Sequence, residues 1–109
     1  MTRLEHILWI IAEECAEVAQ RASKAARFGL DEVQPGQALT NEERLWGELN
    51  DLAGIAEMLI SLRGQGGLSR PAVDAKKAKV EKFLKYSAAF GTLDASESNS
   101  PSATATPPV

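Results

Sequence analysis

Leu4, Leu8, Ile11, Cys15, Val18, Ala22 and Ala25 follow one another at steps of three and four residues. That spacing lines one face of an α-helix and predicts a helix from about Arg3 to Phe28. Gly29 ends it. Between Leu30 and Leu39 the period lapses, and Asp31, Pro35 and Gly36 mark a loop. Thr40-Asn41-Glu42-Glu43 then has the capping-box form, in which the hydroxyl and the carboxylate each accept a backbone N–H left orphaned at a helix start. Leu45, Leu49, Leu52, Ala56 and Leu59 carry a second apolar stripe to about Leu62, before Gly64, Gly66 and Gly67 break the helix. Arg70 and Pro71 open a third, lysine-rich helix marked by Val73, Val80, Phe83, Leu84 and Ser87 and ending near Gly91. No strand-like alternation is long enough to build a sheet, and there is no internal repeat. The expected fold is therefore all-α, a bundle of three to four main helices.

Composition changes this picture at its end. From Asp94 onward Ser, Thr, Ala and Pro dominate, and such a segment cannot offset the entropy of ordering it. The expected division is a helical domain over residues 1–92 and a disordered Ser/Thr/Ala/Pro-rich tail over 93–109. About ninety helical residues make a marginal core, so homo-oligomerisation, as a dimer or tetramer, is expected to complete it. The net charge of −3 offers no general attraction to nucleic acid or an anionic membrane, so neither is expected as a partner. The apolar run Ile7 to Ala12 meets Glu13 and Glu14 too soon to span a bilayer or serve as a signal peptide. The single cysteine, Cys15, suits a reducing cytoplasm and reads as a packed, inert thiol.

The candidate chemistry lies in the acids. Helix residues three apart share a side, so Glu14 projects with Glu17, and Glu48 with Asp51. At about 100° per residue, Glu14 lies roughly 60° from Ile11, Glu48 about 40° from Leu52 and Asp51 about 100° from Leu52. Both pairs flank the apolar stripes, so packing the stripes together gathers four negative charges that repel unless neutralised. Oxygen-only ligands favour Mg²⁺ or Mn²⁺ over zinc, and Mg²⁺ commonly shares carboxylates with phosphate oxygens and water. Farther along the first helix come Arg21, Lys24 and Arg27, so acid gives way to base in a manner suited to a triphosphate. The same residues also read as solvated surface charges.

Glu13-Glu14-Cys15-Ala16-Glu17 followed by Glu48-Leu49-Asn50-Asp51 resembles the E-E-x-x-E and E-x-x-D signature of the MazG-like all-alpha NTP pyrophosphatases. The resemblance runs from Leu4 to about Tyr86. The stretch Arg27 to Gln37 looks like the phage branch, where the chain is similar to MazZ-type enzymes acting on dGTP and GTP in viruses with 2-aminoadenine DNA. What the resemblance implies is hydrolysis of a (d)NTP to (d)NMP and pyrophosphate with Mg²⁺ or Mn²⁺, supplying dGMP in the MazZ case. It implies Glu14, Glu17, Glu48 and Asp51 as metal ligands, and Glu13, with Glu14 and Glu17, in the catalytic set as a further ligand or general base. It also implies residence in the cytoplasm, the host's if the chain is viral. Thirty residues separate Glu17 from Glu48, slightly more than is usual in the family.

Lys76 and Lys79 of the third helix are candidate phosphate contacts, and Asn50 and the loop Asp31 to Asn41 are candidates for base and sugar recognition. Trp9 and Trp46 read as core or interface side chains before purine-stacking ones. His6 reads as a surface or capping residue before a nucleotide contact. The alternatives are a housecleaning pyrophosphatase for other or non-canonical (d)NTPs, a di-iron bundle and a non-catalytic helical adaptor. The absence of any Glu-x-x-His pair disfavours the di-iron bundle. The adaptor leaves four in-phase carboxylates without a purpose.

Overall fold

The computed structural model describes residues 1–97, and among these the chain is all-helical, with no strand. The tail expected over 93–109 lies outside the described residues from 98 onward; within its start, Ala95–Glu97 forms a short 3-10 turn. Three helices follow in order: α1 over Arg3–Phe28, α2 over Asn41–Arg63 and α3 over Arg70–Ala89. No helix among the described residues is long and apolar enough to cross a membrane.

The limits have local causes. Thr2 caps α1 in a capping box, its hydroxyl accepting the Glu5 N–H and the Glu5 carboxylate accepting the Thr2 N–H, both at 3.1 Å. Gly29, at φ 101°, releases the chain from α1, and Gly64, left-handed at φ 67°, ends α2 with its N–H on the Ile60 carbonyl. The Thr40–Glu43 box expected from sequence is present, at 3.0 and 3.1 Å. Ser69 caps α3, with Pro71 in its first turn.

Glu43 is held below the usual carboxylate range by the Thr40 backbone N–H and then the Thr40 hydroxyl. A depressed acid lends stability above its unfolded pKa and loses it as pH falls through the folded one. Glu43→Ala is therefore expected to cost more stability at neutral pH than in strong acid, measured by urea unfolding at both. Equal losses at the two pH values would contradict this account of the cap.

The chain divides into two units, Met1–Gly67 and a second beginning at Leu68. In the first, α1 and α2 pack as an antiparallel hairpin across the loop 29–40. That loop is tied to the start of α2. The backbone N–H groups of Asn41 and Glu42 donate to the carbonyls of Glu32 and Leu30, at 2.9 and 3.0 Å, and Gln37 N–H closes the Pro35-Gly36 turn on Gln34. Asn41, 2% exposed, donates from Nδ2 to the Gly29 carbonyl at 2.8 Å and to Glu32 Oε1 at 3.1 Å.

The packed face of α1 differs from the stripe expected from sequence. Leu4, Ile11, Val18 and Ala25 do turn inward, but Leu8, Cys15 and Ala22 are exposed, and Ile7, Glu14 and Arg21 take the alternate inward positions. Cys15 is an exposed thiol, which corrects the expectation of a packed one. The cause is that α1 carries two apolar faces, the second running through Leu8, Ala12, Cys15, Ala19, Ala22 and Ala26. Periodicity cannot choose between adjacent faces, and the fit to α2 chooses the one that holds the charged residues Glu14, Glu17, Arg21 and Lys24. On α2 the expected stripe Leu45, Leu49, Leu52, Ala56 and Leu59 is partly buried, as are Glu48 and Ile55.

Only Ile7 and Ala25 are fully buried apolar side chains among the described residues. Trp9 and Trp46 are 66% and 57% exposed, so neither is a core residue of this chain. In the second unit α3 has no fully buried residue, and Phe83, Tyr86 and Phe90 are exposed, with the Tyr86 and Phe90 rings 4.6 Å apart.

Candidate metal centre

Glu14 and Glu17 stand one turn apart on α1, and Glu48 faces them from α2. One carboxylate oxygen from each lies within 4.8 Å of the other two. All three side chains are partly buried. Glu14 Oε2 and Glu48 Oε2 are shut off from solvent and accept no hydrogen bond, an arrangement that costs free energy unless something cationic meets them.

Glu17 is raised above the usual carboxylate range. The largest cause is the side chain of Glu48, first as a hydrogen-bond partner that favours the protonated form and then through its charge, followed by partial desolvation; Arg21 opposes these, and Asp51 adds a further push upward. The ionised cluster is thus a local source of repulsion at neutral pH, held by the two helices that carry it.

Asp51 sits one turn beyond Glu48 and is exposed, at the rim of the cluster and outside the close triad. Glu13 is exposed and is likewise not part of the triad. Arg21 turns into the helix interface, its Nε 4.0 Å from Glu48 Oε1, while Lys24 is partly buried one turn on and Arg27 lies over the Phe28 ring at 4.9 Å. Asn50 is exposed and spends an amide N–H on the Trp46 carbonyl at 2.9 Å. His6 is exposed near the start of α1. Lys76 and Lys79 belong to α3 in the second unit, both exposed, with Lys79 Nζ 6.0 Å over Phe83.

Sequence reading missed Asn41 as the buried fastening of the loop, and Arg44, whose Nη1 donates to Gln34 Oε1 at 3.2 Å. An Asn one place after a capping Thr is the only sequence signal, and it is weak because most helix starts hold their polar residues in water. The α2 start offers no ready anion site, since the backbone N–H groups from Asn41 to Arg44 are all satisfied.

No family model matches this chain, and no match was found among curated proteins or solved structures. The fold and cluster define the class no further than a helical-hairpin protein with an inward-facing acidic triad.

Proposed function

We propose that the chain is a metal-dependent nucleoside triphosphate pyrophosphohydrolase of the MazG-like kind, converting a (d)NTP and water to a (d)NMP and pyrophosphate. The observation that carries this reading is the triad of Glu14, Glu17 and Glu48, in which two desolvated oxygens accept no hydrogen bond. The donors fit a hard cation, being carboxylate oxygens with no sulfur or imidazole among them.

Glu14, Glu17 and Glu48 would hold Mg²⁺ or Mn²⁺, with Asp51 adding a fourth carboxylate from the rim. When bound, the ion supplies Lewis acidity toward phosphate oxygens and lowers the pKa of bound water. Arg21 and Lys24, one and two turns past Glu17, and Arg27 beyond them supply positive charge for a phosphate chain. Glu13, the further acid in the signature, is the candidate for a second ligand or for the general base that takes a proton from the attacking water.

The small core supports the expectation of a homo-oligomer, a dimer or tetramer. A chain burying only Ile7 and Ala25 among the described residues, while exposing Trp9, Trp46, Phe83, Tyr86 and Phe90, gains stability by pairing with copies of itself. The substrate proposed is dGTP or GTP, by resemblance to the phage branch, with other or non-canonical (d)NTPs as the second choice. Such a reaction serves the nucleotide pool of the cytoplasm.

A hydrolysis panel of common and modified deoxy- and ribonucleotides with Mg²⁺, read by chromatography, tests the reading. Nucleoside monophosphate and pyrophosphate are expected, with the highest rate for dGTP or GTP, and Glu17→Gln is expected to stop turnover. Release of orthophosphate, or full activity in Glu17→Gln, would overturn the proposal.

A further inference from the structure

Arg21 occupies an inward position on α1 that packing rules give to an apolar side chain, between Val18 and Ala25 on the face against α2. Its side chain is 19% exposed, and that of its neighbour Glu48 is 18% exposed. The separation of 4.0 Å between Nε and Oε1 makes a charge pair without a hydrogen bond. Among the described residues it is the only ion pair reaching the carboxylate triad. Arg27, two turns on, lies against an aromatic ring instead.

Resting on the metal reading above, we infer that Arg21 is the resident counter-ion of the metal-free triad and is exchanged for the divalent cation. Three carboxylates this close need positive charge to stay folded together, and the guanidinium is what the chain itself provides. A divalent ion on the same oxygens makes that charge redundant and repels it. Arg21 then leaves Glu48, free to meet a phosphate farther along α1. The metal-free protein is thereby kept folded, and the main phosphate cation is released only at loaded sites.

The test uses the full chain without nucleotide, with Mn²⁺ as the probe, following free Mn²⁺ by electron paramagnetic resonance and unfolding by circular dichroism with and without EDTA. Arg21→Gln is expected to melt earlier than wild type in EDTA, to recover with Mn²⁺ and to bind Mn²⁺ about tenfold more tightly. Arg21→Lys, which keeps the charge, is expected to stay close to wild type in both readouts. Arg3→Gln, the same charge change at the far end of α1, is expected to leave Mn²⁺ affinity unaltered. Unchanged or weaker Mn²⁺ binding in Arg21→Gln would overturn the exchange, as would failure of that variant to fold even with Mn²⁺ present. Wild-type protein that binds no Mn²⁺ would instead sink the metal reading, and the exchange with it.

Discussion

Glu48→Gln is expected to lower Mg²⁺-supported pyrophosphate release by about a thousandfold or more while raising the melting temperature of the metal-free protein. Glu48 is the only member of the triad on α2, and it is the neighbour that most strongly raises Glu17. Its Oε2 is desolvated without a partner. Glutamine keeps the shape, removes one of three crowded charges and adds an amide donor for its neighbours. Activity and metal-free stability should therefore move in opposite directions, as they do where a site stores repulsion for a ligand to relieve. A pyrophosphate assay with a thermal scan in EDTA checks both. Loss of activity with an equal loss of stability would mean that Glu48 serves the fold alone.

The second large effect concerns the loop. Asn41→Ala is expected to destabilise the chain by about 2–3 kcal/mol, because the Gly29 carbonyl and the Glu32 carboxylate each lose a donor where water has little access. For a domain of this size that corresponds to a fall in melting temperature of about 10 °C or more. Asn41→Asp is expected to be worse than alanine despite its similar shape. It removes both donated bonds and sets a carboxylate against a carbonyl and against Glu32. Thermal unfolding of the two variants beside wild type decides it, and an aspartate variant as stable as wild type would refute the fastening role. Any change in nucleotide preference in the alanine variant would add that the loop also borders the base.

Much of the secondary structure was legible because it is local. The bounds of α1 and α2 follow from Gly29, Gly64 and the Thr40–Glu43 box, whose partners lie within four residues. The carboxylate pairs were legible for the same reason, since a helix places residues three apart on one side whatever surrounds it. What could not be read locally was which side faces in. Cys15 and Ala22 look more buried than Glu14 and Arg21 to any rule that rewards apolar residues, and Leu8 looks no less buried than Ile7, yet the structure reverses all three. The misreading fell on the charged residues of the candidate site, as expected where local preference yields to function.

The sequence alone thus determined an all-helical chain, the helix starts and stops, and the acidic pairs on two successive helices. Only the tertiary structure decided that Glu14, Glu17 and Glu48 close into a triad while Asp51 stays at the rim and Glu13 in solvent. It also decided that Arg21 turns inward and that Asn41 fastens the loop. The physical reason is that a helix fixes the angle between its own residues, whereas burial is set by the rotation of one helix against another. That rotation is a property of the packed pair.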